Sequence, residues 1–149
     1  MKLIIDYKTM ARMPTGKIQG EIFFEEKGFF FPERKWSDNV LIVLSWWLKS
    51  LIGAVNNEED FVDFHFMEGP CYVRFFLKKL NNYDVIFAER RENEVLLKFN
   101  SNNKKLICDL YDLAKNAREV CEKNHWVDGD YDELVEAISC YEGAVMRRP

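Results

Sequence analysis

Histidine is scarce in this chain of 149 residues, which has only His65 and His125. A Ser-His-Asp or Cys-His catalytic arrangement would have to use one of those two. Neither a GxSxG elbow nor a cysteine-protease signature surrounds any candidate nucleophile. Glycine is sparse too: the seven glycines are scattered, with no GxGxxG or GxxxxGK pattern to cradle a phosphate. Basic stripes are missing. Lys78-Lys79, Arg90-Arg91 and Arg147-Arg148 are isolated pairs in a chain of net charge −4, which argues against nucleic acid as a partner. The most apolar stretch, Val40 to Ile52, is interrupted by Ser45, Lys49 and Ser50. It falls short of the roughly 20 apolar residues that a membrane span needs, so no membrane association is expected. Met1-Lys2 is followed by only three apolar residues, too few for the core of a secretory signal. None of Cys71, Cys108, Cys121 and Cys140 forms a CxxC pair. Reduced thiols and a cytoplasmic location are the expectation, with Cys108, Cys121 and Cys140 serving as small apolar residues on helices.

What the chain does have is core-forming material, 48% hydrophobic and 15% aromatic residues, in a length that suits one domain over 1–149. Lys2–Tyr7 reads as a first strand and residues 8–16 as a loop. Lys17–Glu25 and Phe29–Phe31 read as a hairpin, with Gly28 at a left-handed turn position. Ser37 or Asp38 caps a helix over Asn39–Val55. Its stripe of Val40, Leu44, Trp47, Leu48, Leu51 and Val55 is widened almost all round by Leu41, Ile42, Val43 and Trp46. A helix apolar on most sides has to be covered on most sides, which places it at the centre. Period-two alternation then predicts strands over Phe61–Met67, Cys71–Lys78, Tyr83–Arg90 and Val95–Asn100, the last two joined around Arg91–Glu94. Two helices follow, over Asn103–Lys123 and Tyr131–Tyr141. Asp130 and Glu133 suggest a capping box for the second, Gly143 its end, and Arg147-Arg148-Pro149 a tail. The predicted class is α+β: an antiparallel sheet of about six to seven strands on a central apolar helix, with two C-terminal helices.

Possible ligand sites are few. Cys121 and His125 would share a face of a continuing helix, yet two ligands do not make a zinc site. Asp128-Gly129-Asp130-Tyr131-Asp132 begins like a calcium loop, but the sixth position is Glu133 instead of Gly and the twelfth is Ser139 instead of Glu. No metal and no cofactor is expected. The outward strand face around His65, Tyr72, Arg74 and Phe76 offers an alternative site for a small ligand, in a regulatory or ligand-binding module. An enzyme of unrecognised type, its groups assembled only by folding, ranks third. Oligomeric state has no signal in the sequence.

Charge is distributed unevenly. Asp109–Glu142 holds ten acidic and three basic residues, a net charge of −7, leaving +3 for the remainder. Such a segment either solvates a helix face or steers a basic partner. Asp128, Asp130, Asp132, Glu133 and Glu136 are its candidate contacts. The stretch from Trp36 through Trp46-Trp47 to Leu51, with Phe66-Met67-Glu68-Gly69-Pro70-Cys71-Tyr72-Val73, resembles small bacterial proteins of the polymorphic or contact-dependent toxin-immunity type. That resemblance covers the middle third of the chain. It implies a non-enzymatic protein that binds and blocks a toxin domain, often a basic nuclease.

Overall fold

A computed structural model describes residues 1–78, 82–91 and 94–146. The chain is α+β, and its described residues form eight strands in two antiparallel sheets and three α-helices. In the first sheet β1 (Lys2–Arg12) pairs with one edge of β2 (Ile18–Glu26). The other edge of β2 takes β3 (Phe29–Phe31) beside Phe24–Glu26 and β4 (Ser37–Asn39) beside Gln19–Glu21. After α1 (Val40–Asn56) comes the second sheet, a meander of β5 (Phe61–His65), β6 (Cys71–Phe76), β7 (Val85–Glu89) and β8 (Glu94–Phe99). The chain continues through α2 (Asn103–Lys123) and α3 (Gly129–Tyr141) into a π-helical turn at Glu142–Met146. The Lys78-Lys79 pair, the Arg91–Glu94 turn and the Arg147-Arg148-Pro149 tail fall wholly or partly outside the described residues.

The single sheet of six to seven strands is therefore corrected to two sheets of four. Their inner faces meet through aromatic rings. Phe31 stacks on Phe87 at 4.6 Å between centroids, and Phe24 lies 6.0–6.2 Å from Phe66, Phe75 and Phe87. Helix α1 supplies Trp47, which stacks on Phe64 at 5.3 Å and meets Phe66 edge-on at 5.2 Å. Val40, Val43, Leu44, Trp47 and Leu48 are fully buried, as the central position requires. Gly20 on β2 permits this approach: a Cβ there would come within 2.9 Å of Met10 Cγ and 3.0 Å of Val40 Cγ2.

Several local expectations change. Strand β1 runs on to Arg12 because Thr9 bridges an irregularity in its pairing. Its hydroxyl donates to the Asp6 carbonyl at 2.6 Å and accepts from the Glu21 N–H at 2.8 Å. The cap of α1 is Asn39, whose side chain accepts from the Ile42 N–H at 3.3 Å. Ser37 and Asp38 are still paired with β2 and remain extended. Lys27 and Gly28 both take positive φ (46° and 82°), so the β2–β3 turn needs only two residues. Helix α2 matches its predicted span, capped by Asn102 on the Lys105 N–H. Helix α3 begins two residues early, after Asp128, with no side-chain cap and hence no capping box. Gly143 lies inside the π-helical turn and does not end the helical path. Of the helical cysteines only Cys121 is buried, its thiol pushed up to about 11 by that burial, whereas Cys108 and Cys140 are exposed.

Candidate functional site

The acidic C-terminal segment separates into two parts once its side chains are placed. On α2 the carboxylates have cations close by: Lys105 Nζ lies 2.6 Å from Asp109, Lys115 Nζ 3.7 Å from Asp112, and Arg118 Nε 3.8 Å from Glu122. Asp128, just before α3, pairs with Arg12 of β1. Proximity to Glu142 is the main cause that raises the Tyr111 phenol's pKa. Asp130, Asp132, Glu133 and Glu136 have no salt-bridge partner among the described residues, nor does Glu119 on α2. Asp132, Glu133 and Glu136 are solvent-exposed and Asp130 partly so. Leu134, Ala137, Ile138 and Tyr141 are buried and hold the opposite side of α3 against the core. Apolar residues at helical spacing thus force the carboxylates outward. Asp130 and Asp132 also lie in the first turn, where the helix dipole favours negative charge. Of the five expected contacts, four form this unmatched face, while Asp128 is neutralised by a partner that lies over a hundred positions away in the chain.

The strand-face alternative is also brought together, with two members that the sequence reading did not include. Register pairs His65 with Tyr72, Asp63 with Arg74 and Phe61 with Phe76. Arg74 is held there by Asp63 and Phe61. Its Nε and a terminal nitrogen donate to the two Asp63 oxygens at 2.7 and 2.9 Å, and its guanidinium lies 3.9 Å over the Phe61 ring. The hydrogen bond to Asp63 raises the Arg74 pKa further. Alternation along β5 already puts Phe61 and Asp63 on the face of His65; the register decides only which residues of β6 they meet.

Burial, partly opposed by the Asp63 charge, lowers the His65 pKa below its ordinary 6.5. Its ring lies 5.4 Å from that of Tyr72. A histidine held neutral in the fold binds a proton more readily when unfolded. Its contribution is therefore present above pH 6.5 and lost as pH falls from 6.5 through its folded value. His65→Phe is expected to flatten the decline in unfolding free energy over that interval, measured by urea titrations at successive pH values. An unchanged slope would remove His65 from the explanation.

The metal patterns come apart in three dimensions. Helix α2 ends at Lys123 and His125 takes φ 59°, so buried Cys121 and exposed His125 share no helical face. Asp130 and Asp132 sit in a helical turn instead of a calcium loop. Among the described residues no group of three or more His, Cys, Asp or Glu side chains is placed to hold a metal ion, and no helix is long and apolar enough to cross a membrane. Comparison with protein-family models, with curated proteins and with solved structures gave no match.

Proposed function

We propose that this chain is a non-enzymatic cytoplasmic binding protein that docks a basic protein partner on the exposed face of α3. One observation carries the reading. Asp130, Asp132, Glu133 and Glu136 have no cation partner among the described residues, whereas Asp109, Asp112, Glu122 and Asp128 all do. Negative charge left over on one helix attracts a basic surface at long range and aligns it before contact. The resemblance to immunity proteins supplies the partner's class, a toxin domain whose working surface is blocked by docking. The strand face is less favoured because Arg74 already gives two of its donors to Asp63 and its flat face to Phe61.

The test is kinetic. The partner would be sought by co-expression with the product of the adjacent gene. Reversing Asp132 and Glu136, one helical turn apart, to Lys is expected to slow association about tenfold at low salt while changing dissociation less. The gap should narrow as ionic strength approaches ~0.1 M, where screening sets in over about 10 Å. Equal association rates for variant and wild type at low salt would make the α3 face an ordinary solvated surface.

A further inference from the structure

Strand β5 ends its sheet, and its far edge carries backbone groups that no strand takes up. In an antiparallel ladder alternate residues turn their N–H and C=O to one neighbour, and the residues between turn theirs to the other side. The Phe66 N–H donates to the Cys71 carbonyl and the Leu77 N–H to the Asp60 carbonyl, so the even-numbered residues of β5 bond to β6. Phe61, Asp63 and His65 therefore point their backbone groups away from the sheet. The His65 carbonyl accepts from the Trp47 indole, and among the described residues no other hydrogen bond reaches these groups. Sheet edges invite further pairing, and proteins blunt them with bulges, prolines or very short strands. Edge strands β1 and β8 both carry register irregularities, and β3 and β4 have three residues each. Strand β5 pairs without a break from Phe61 to His65 and contains no proline. Its edge is left regular.

Beside that edge runs a side of α1 that the core leaves bare. The expectation that Trp46 widens the core is corrected, since Trp47 is fully buried whereas Trp46 is 42% exposed, as Lys49 and Ser50 also are. The Trp47 indole holds the His65 carbonyl, and the Glu59 N–H donates to the Ala54 carbonyl at 2.9 Å. Helix and strand thus run side by side in opposite directions, Trp47 next to His65 and Ala54 next to the start of β5. Between them lies an open hollow of about 360 Å³, with Lys49, Ser50 and Gly53 on one wall and Phe61, Asp63 and His65 on the other. The helix wall is low there, because nothing within 4 Å would meet a Cβ at Gly53. Lys49 and Glu59 stand exposed towards opposite ends of the hollow, without ion-pair partners among the described residues.

We propose that this hollow takes an extended segment of a partner polypeptide, which joins the second sheet along β5 as a fifth strand. The outward N–H and C=O of Asp63 and the N–H of His65 offer donors and acceptors at the spacing of a strand, which another extended backbone matches group for group. The small residues on α1 leave room for the segment's side chains. Lys49 favours an acidic residue of the segment at the His65 end, and Glu59 a basic one at the Phe61 end. Pairing stops at the His65 carbonyl, which Trp47 already occupies. Main-chain bonding supplies affinity here, so the inference stands apart from the charge of α3.

The probes are random octapeptides displayed on phage, selected on the full chain and then synthesised as free peptides. A bound strand is expected to slow hydrogen exchange at the Asp63 and His65 amides about tenfold, while those of Val62 and Phe64, already bonded to β6, change less. N-methylation of single peptide amides should weaken binding about fivefold at every second position and little at the positions between, because alternate residues of a strand donate to its neighbour. Gly53→Leu places a side chain in the hollow at a helical position that favours leucine over glycine, and should remove binding without lowering thermal stability. The N-methyl pattern needs no variant and so tests the pairing independently of how Gly53→Leu folds. Peptides that bind Gly53→Leu as tightly as wild type, N-methyl effects without a period of two, or a selection that yields no binder would overturn the added strand. None of these results bears on the α3 face, which the Asp132 and Glu136 reversal tests separately.

Discussion

Replacing Trp47 by alanine is expected to lower unfolding stability by about 3–5 kcal/mol, the largest loss from any single position in the fold. The side chain is fully buried where α1 meets both sheets. Its ring stacks on Phe64, meets Phe66 edge-on and lies 5.5 Å from Phe24, so one truncation removes contacts to three aromatic partners. Its indole N–H also donates to the His65 carbonyl at 2.7 Å, an acceptor at the end of β5 that would lose its partner. Rings locked edge to face close over a vacancy poorly, so transfer and cavity terms add. Urea unfolding followed by far-ultraviolet circular dichroism measures the loss. A change below about 1 kcal/mol would mean that α1 is peripheral to the core. Trp46→Ala on the same helix is the natural control, expected to fall within about 0.5 kcal/mol of wild type because that side chain is exposed.

The second large effect is expected at Asp38, a carboxylate with no exposed surface. Its oxygens accept from the Asn39 N–H at 2.7 Å, the Glu68 N–H at 3.1 Å and the Trp36 indole N–H at 3.1 Å. Strand β4 is thereby joined to the turn between β5 and β6, a link between the two sheets. Asp38→Ala leaves two backbone donors and one indole donor without an acceptor and is expected to cost about 3 kcal/mol. Asp38→Asn should not rescue it, because one accepting oxygen becomes an NH2 group facing donors. Burial is the main cause of the rise in the Asp38 pKa, and the three hydrogen bonds oppose it. A carboxyl whose folded pKa is raised contributes its stability below the unfolded value of 3.8 and loses it as pH rises through the folded value. Its slope is opposite in sign to that of His65. Loss of Asp38 should therefore remove a decline with rising pH, starting from the acid side, besides lowering stability throughout. A fully stable Asp38→Ala variant would show that the link between the sheets is dispensable.

Much of this arrangement was legible residue by residue. Helix α2 was readable from Leu106, Leu110 and Ala117 at helical spacing, and β5 and β6 from strict alternation through Val62, Phe64, Val73 and Phe75, whereas β7 is buried on both faces over Val85–Ala88. The candidate face was legible as composition, an excess of carboxylates near the C-terminus, though not as a surface. Three of the paired carboxylates meet cations three or four residues away on α2, whereas Arg12 reaches Asp128 from near the other end of the chain. No window on the sequence registers such a pairing.

By itself the sequence determined the order of the longer elements and the inward residues of α2, β5 and β6. Those properties follow from local periodicity and from the cost of exposing apolar side chains. Tertiary structure alone decided that the strands divide into two sheets, that Trp46 faces solvent while Trp47 is buried, and that Asn39 instead of Asp38 caps α1. It also decided that Arg12 of β1 neutralises Asp128 before α3. Each depends on which edge, ring or cation arrives from elsewhere in the chain. A side chain's pattern reports that it needs covering or neutralising, and only the folded chain supplies the partner.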